Sequence, residues 1–442
     1  MPRKPLALSK ILVFGLLLTG IAAPSPASAA SELAALQADL SQQLTLAGPQ
    51  DGAYVYDITA KQALFSTRAT VMRPPASVEK LYTATAALAR LGPSARLETT
   101  VRGIGHLAPG GVWEGNLYLH GEGDPTFGSS AFIRGAYGGK GASVSALAVQ
   151  LMRVDGIHRI TGSIQGDETF FDSLRGEPSS GYGPDPFLEG TLSGLAFDRG
   201  ASGSERGQHA PAAYAARRLW AALKARGVSI HGPPGTAPTP AGATLLARVP
   251  SPTMTQLLGL MLPPSDNFLA ETLLKVLGAR LAGAGSTAAG AAVVAQTMTS
   301  LLGIHPRVVD GSGLSTANQT SPFEVASLLV ALAPTPTGTV LRNSLAVAGR
   351  SGTLRRRMRH TGAAGRCVGK TGTLTGASNL VGYCQSAGGH LLAFAIFTDG
   401  ISTAAAHIFQ DHMAITLANA RLGESGESTG AAASVAVRSP GH

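Results

Sequence analysis

The chain has 442 residues, 44% of them hydrophobic, 14% charged and 5% aromatic, with a formal net charge of +9. Such length and apolar content support one large or two medium globular domains with a proper core, and disorder is not the default. Few aromatics and no visible stacking platform argue against a nucleic-acid partner, and the modest positive charge suits peripheral contact with an anionic cell envelope better. Neither the two cysteines nor the eleven histidines show zinc-like spacing, so no metal and no cofactor is expected.

Arg3, Lys4 and Lys10 precede an apolar run from Ile11 to Ala23, then Pro24-Ser25-Pro26 and the small residues Ala27-Ser28-Ala29. This is the anatomy of a secretory signal, 1–29, cleaved after Ala29. The run is shorter than the ~20 apolar residues that span a bilayer, and no later segment is long and unbroken enough to do so. The mature chain is therefore expected to be exported to the periplasm or cell-wall space.

Leu33, Leu36, Leu40 and Leu44 predict an amphipathic helix over 31–46, and two strands follow at 53–58 and 63–66. Pro74-Pro75 opens a helix carrying Leu81, Ala84, Ala87, Leu88 and Leu91, which Gly92-Pro93 ends. From 97 to 249 the texture changes to short β-rich runs, such as 117–119 and 160–165, between Gly-rich loops, with one helix at 212–226. Helices are predicted again at 253–261, 267–281, 287–302 and 322–332, strands at 366–374, 379–385 and 391–398, and a closing helix at 403–421. Residues 97–249 thus read as a domain inserted into a discontinuous one formed by 30–96 and 250–422. The tail, 423–442, is rich in Ser, Gly and Ala and reads as disordered. Cys367 and Cys384 lie equidistant from a turn near Thr375-Gly376 and should face each other across two strands. In an oxidising compartment that favours a disulfide; otherwise they are two small buried thiols.

Three short motifs carry the chemistry. In Ser77-Val78-Glu79-Lys80, residues three apart on a helix share a face, so the Lys80 amine can reach the Ser77 hydroxyl and serve as its base. Burial and a second cation, Lys370, would lower its pKa to suit that task. Lying at a helix start, the Ser77 amide is placed to hold an oxyanion. Ser265-Asp266-Asn267 follows Pro263-Pro264 and precedes a helix; Ser265 can relay a proton, and Asn267 can hold a substrate amide and steady Lys80. Alone, the triplet reads better as a helix N-cap. In Gly369-Lys370-Thr371-Gly372-Thr373, alternation puts Lys370 and Gly372 on one strand face, with Gly372 leaving room for a substrate backbone. Thr371 and Thr373 offer hydroxyls to a carboxylate, and Lys370 adds positive charge. By itself this segment is a lysine-protected edge strand. Each string is weak alone; three in this order make coincidence improbable.

These three motifs are the set found in penicillin-binding proteins and β-lactamases. The chain resembles serine penicillin-binding proteins of the D-Ala-D-Ala carboxypeptidase/endopeptidase type that carry an inserted domain. The likeness extends to Gly121-Glu122-Gly123-Asp124-Pro125-Thr126, to Asp310-Gly311-Ser312-Gly313-Leu314-Ser315 with Asn318 and Ser321-Pro322, and to Gly352-Thr353-Leu354. It implies an α/β (α+β) fold: a β-lactamase/transpeptidase-like domain, its antiparallel sheet flanked by helices, plus an inserted β-rich domain. It also implies acyl transfer from peptidoglycan stem peptides through Ser77, with β-lactams as covalent inhibitors.

Two features depart from the family pattern. The interval between Ser77 and Ser265 is short for relatives with a third nested domain, which implies two domains here. Where some relatives have an arginine after the Asp310–Ser315 run, this chain has Thr316, although Asp167 matches their acidic position for a stem-peptide amine. Arg355, Arg356, Arg357 and Arg359 read as a solvated basic face, with anionic glycan polymers as the alternative partner. Competing functions are a β-lactamase, which would turn over nitrocefin rapidly, and a non-catalytic penicillin- or wall-binding protein, which would label once and release no D-alanine.

Overall fold

A computed structural model describes residues 26–153, 155–200 and 209–422. The tail read at 423–442 lies outside the described residues, as does the signal segment up to residue 25.

The chain opens with α1 (Pro26–Ala47), β1 (Gly52–Asp57), β2 (Gln62–Thr67), a 3-10 turn (Ala76–Glu79) and α2 (Lys80–Leu91). A second group follows: β3 (Glu98–Ala108), β4 (Val112–Gly121), α3 (Ser130–Tyr137), α4 (Val144–Arg153), β5 (Arg159–Ile160), β6 (Ile164–Asp167), α5 (Pro211–Lys224), β7 (Ser229–Ile230), β8 (Gly235–Thr236) and β9 (Thr244–Pro250). The chain continues with α6 (Met254–Met261), α7 (Asn267–Ala282), α8 (Thr287–Leu302), α9 (Pro322–Leu332), α10 (Pro336–Asn343) and β10 (Ala346–Val347). It closes with β11 (Cys367–Leu374), β12 (Ala377–Gln385), β13 (Leu391–Asp399) and α11 (Thr403–Asn419).

The first sheet is antiparallel, in the order β10-β11-β12-β13-β1-β2, and draws strands from both ends of the chain. Alternation along a strand sends successive side chains to opposite faces, and here both faces are covered. Leu392, Phe394 and Ile396 of β13 join Leu36, Leu40 and Leu44 of α1 and Met413 and Leu417 of α11 in one core. Ala393, Ala395 and Phe397 face the other way, into a core with Leu81 and Tyr82 of α2, Leu269 and Leu273 of α7 and Leu329 of α9. The near-continuous apolar run of β13 follows from being buried on both sides.

The second sheet takes all its strands from 98–250, in the order β7-β5-β4-β3-β9, with β6 on β4 and β8 on β6. Leu117 and Leu119 of β4 pack with Leu147 and Leu151 of α4 and Leu219 and Leu223 of α5. This region is less purely β than the sequence suggested. Helices α3 and α4 were masked by the Gly-rich stretch between them, although Leu147 and Leu151 stand at helical spacing.

Helix ends follow local chemistry. Thr253 with Gln256, and Ser321 with Glu324, form reciprocal capping boxes for α6 and α9. Cys367 and Cys384, paired directly across β11 and β12, form a buried disulfide. It closes the end of the hairpin away from its turn and leaves Lys370–Thr373 between disulfide and turn. Among the described residues no single helix is long and apolar enough to cross a membrane.

Candidate active site

Three separate pieces of chain meet around Ser77. The first is the 3-10 turn, which enters through Ala76 in the left-handed region (φ 49°) with its side chain fully buried. The second is the approach to α7, where Ser265 is also left-handed (φ 67°). Non-glycine residues in this region carry strain of roughly 1–3 kcal/mol and persist only where their surroundings over-determine them. The third piece is β11. Its partner β10 pairs only with Val368 and Gly369, so among the described residues the outer edge from Lys370 onward has no strand on it.

Gly372 explains how the first and third pieces come together. A Cβ there would stand 2.4 Å from the Pro75 carbonyl oxygen and 3.2 Å from the Ala76 methyl. The residue was expected to leave room for substrate; the space is filled by the turn that carries Ser77. Asn379 of β12 fixes the same turn, donating to the carbonyls of Pro74 and Pro75.

The Lys80 amine is completely buried, with three neighbours: the Ser77 hydroxyl at 2.9 Å, Asn267 Oδ1 at 2.6 Å and the Ser312 carbonyl at 2.6 Å. Asn267 Oδ1 and the carbonyl are pure acceptors and consume two N–H bonds. A neutral amine then has its lone pair left for the Ser77 hydroxyl, which donates to it. Burial draws the Lys80 ammonium down from 10.5 to about 8, against the opposing pull of Asp310, Glu271, Asp266 and Glu79.

Those acids lie in the interior. Burial, then Asp310 and Glu271, push Glu79 well above the usual carboxylate range, and among the described residues neither of its oxygens has a hydrogen-bond partner. Glu271, raised to about 8 by burial and then by Asp310, accepts from the amides of Gly311 and Ser312. Asp310 accepts from Gly313, Ser315 and Asn318, and so shapes the loop that presents the Ser312 carbonyl.

Lys370 is also fully buried. Its amine donates to Ser265 Oγ at 2.8 Å and to the Thr371 carbonyl at 2.7 Å. Burial, then the Lys80 charge, lowers its pKa well below the ordinary lysine value. Burial and Lys370 together were expected to lower Lys80; burial lowers it, while the neighbouring charges that act on it all pull the other way. Thr371 donates its hydroxyl to that of Thr353 at 2.9 Å, and Thr373 is exposed. Asn267 gives one amide hydrogen to the Phe187 carbonyl at 2.7 Å and keeps the other.

Asp167 is the expected site residue that does not join this cluster. It is buried at the end of β6 and accepts from His120, Thr169 and Thr239. Burial alone would raise its pKa, but these hydrogen bonds outweigh it and hold the carboxyl below its usual range. Arg357 likewise leaves the basic surface: it is buried against Asp411 and Gln410 of α11.

Arg199 was not legible as a site residue. It pairs with Asp266 Oδ2, donates to the Tyr137 hydroxyl at 2.7 Å and lies over the rings of Tyr137 and Phe268. Asp266 Oδ1 meanwhile caps α7 through the Leu269 amide. The second motif thus caps α7 through Asp266 while Ser265 contacts Lys370 and Asn267 contacts Lys80.

Fold and chemistry place the protein among serine peptidases that work by acyl transfer. Comparison with known proteins narrows this: residues 32–182 and 191–420 match the D-Ala-D-Ala carboxypeptidase 3 (S13) family, and the chain belongs to it. It is 30% identical to the D-alanyl-D-alanine carboxypeptidase of Actinomadura sp. (strain R39) over 94% of this chain and 90% of that protein. Its fold matches penicillin binding protein 4 (dacB) from Haemophilus influenzae with a TM-score of 0.70 at 22% identity, covering 85% of this chain and 97% of that one. The same protein complexed with a β-lactam matches with a TM-score of 0.63 at 21% identity, covering 85% and 97%.

Proposed function

We propose that Ser77 is the nucleophile of a D-Ala-D-Ala carboxypeptidase/endopeptidase acting on peptidoglycan stem peptides, with neutral Lys80 as its base. The observation that carries this reading is the arrangement at Lys80, where Asn267 Oδ1 and the Ser312 carbonyl occupy two positions around the amine and the Ser77 hydroxyl the third. Ser77 Oγ attacks the carbonyl between two D-alanines while its proton passes to Lys80. The tetrahedral oxyanion meets the amides of Ser77 and Thr373. Ser265, held by Lys370, relays the proton to the departing D-alanine amine. Asn267 offers its remaining amide hydrogen to the substrate, and Thr371 and Thr373 bind the terminal carboxylate beside the buried lysine. Water then releases the acyl-enzyme. β-Lactams acylate the same serine, a reading supported by the β-lactam complex of the H. influenzae relative.

The enzyme works outside the cytoplasmic membrane on this reading, supported by the signal-like N-terminus and the buried disulfide. Digestion of purified muropeptides by wild type and Ser77→Ala, read by mass spectrometry, tests the assignment. Wild type should release D-alanine and bind labelled penicillin, and Ser77→Ala should do neither. A fully active Ser77→Ala would refute it, and rapid nitrocefin turnover would make the protein a β-lactamase.

A further inference from the structure

Between Glu324 and Asp399 the chain has no acidic residue, but eight lysines and arginines. Two of the eight are spoken for: Lys370 lies in the cleft, and Arg357 is paired with Asp411. Of the rest, Arg350 and Arg359 converge with His360, Gly349 and Ala364 on an open pocket of about 280 Å3. Arg350, Arg359 and His360 are all exposed, and among the described residues none is in a salt bridge.

The pocket is built into the backbone. Arg350 lies across Gly365, where a Cβ would stand 2.4 Å from its guanidinium carbon. Arg359 spends Nε on the Arg355 carbonyl at 2.9 Å, and among the described residues its two terminal nitrogens have no hydrogen-bond partner. Met358 and His360 on either side of it are left-handed (φ 58° and 59°). Like charges gathered without a counter-charge repel, and guanidinium forks match phosphate oxygens two at a time.

We propose that this pocket binds one phosphate group of a polyanionic chain, with exposed Arg355 and Arg356 on the same loop taking neighbouring charges. The ligand class is a polyphosphodiester, the chemistry of an anionic wall polymer. A membrane surface fits less well. A concave pocket suits an anion projecting from a chain, and none of the exposed large apolar side chains falls between 342 and 366 to insert into lipid. Thr353, which holds Thr371, follows on the same loop, so a bound polymer would tether the enzyme beside its cleft. The proposal does not depend on the roles given to Ser77 and Lys80.

The test is titration of the purified full chain with labelled inorganic polyphosphate at several salt concentrations, with inorganic phosphate and phosphatidylglycerol vesicles as separate arms. Wild type should bind polyphosphate more tightly than either. Arg350→Gln and Arg359→Gln should each weaken it about tenfold and reduce the slope of log K against log salt by about one. Arg134→Gln, an exposed arginine on α3, should change nothing, and penicillin labelling should persist in every variant. If Arg350→Gln fails to fold, Arg359→Gln decides, since its guanidinium touches only one carbonyl. Unchanged polyphosphate binding by Arg359→Gln, equal loss in Arg134→Gln, or tighter binding to the vesicles would each overturn the proposal.

Discussion

Arg199 and Asp266 form an ion pair, each side chain only 10% exposed, that joins the connection between β6 and α5 to the middle residue of the Ser265-Asp266-Asn267 motif. Asp266 caps α7 with its other oxygen, so one carboxylate fixes both the helix and the turn that aims Ser265 and Asn267. Breaking a buried pair by removing one partner leaves an uncompensated charge and costs about 3–5 kcal/mol. Arg199→Gln and Asp266→Asn should each lower the melting temperature and slow penicillin acylation, although neither residue touches the reacting atoms. The double variant should lose less than the sum of the two, because the partners share one interaction. Additive losses would show that the pair is not coupled.

The pH profile of acylation should follow Lys80. The reaction needs its amine neutral, and the folded pKa is lowered from 10.5 to about 8. At pH 7 about one lysine in ten is neutral, so the acylation rate should rise about tenfold toward pH 9 and then level off. Stability carries the same sign: the unfolded chain keeps this proton up to about 10.5, so the cost of burying Lys80 is present below about 8 and lifts as pH rises between the two values. Stopped-flow acylation by a chromogenic cephalosporin would read the limb directly. A rate that falls through this range would assign the base elsewhere.

Much of this site was legible because its parts are local. Ser77 and Lys80 share one helical turn, and Lys370 to Thr373 lie on one strand, so spacing alone placed them. Arg199 was not, because its role exists only where two distant loops meet and its sequence neighbourhood carries no motif. The surroundings of Asp167 were hidden for the same reason: an acidic residue in a family-like string says nothing about its partners His120, Thr169 and Thr239, of which the fold brings His120 and Thr239 from separate segments. The main sheet was readable from alternation and turn residues, whereas α3 and α4 were hidden by intervening glycines. Glu79 lies inside a motif that was read, yet its burial depends on the packing of the Asp310–Ser315 loop, which no local pattern reveals.

Gly372→Ala should be far more damaging than its size suggests. The added methyl would meet the Pro75 carbonyl at 2.4 Å and must push the Ser77 turn away from β11. Overpacking of this kind costs about 1–3 kcal/mol of stability, while a displacement approaching 1 Å at a nucleophile costs about a hundredfold in rate. Penicillin acylation should therefore fall about a hundredfold in a protein that still unfolds cooperatively. An unchanged acylation rate would show that β11 does not hold the turn in place.

The Cys367–Cys384 disulfide should matter for stability and little for chemistry. It spans 17 residues of sequence, and a crosslink closing a loop of that order contributes about 3 kcal/mol by restricting the unfolded chain. Its position explains the separation of effects. The bond sits at the far end of the β11–β12 hairpin, under α11, while Lys370 to Thr373 are held by their own strand pairing with Val381 to Ser378 and by the Ser77 turn. Replacing both cysteines with alanine should lower the urea midpoint with the slope nearly unchanged and leave the acylation rate of the folded protein within about twofold of wild type. Dithiothreitol should shift the wild-type midpoint the same way and leave the variant untouched. Loss of acylation in the folded double variant would mean that the bond itself sets the geometry of β11.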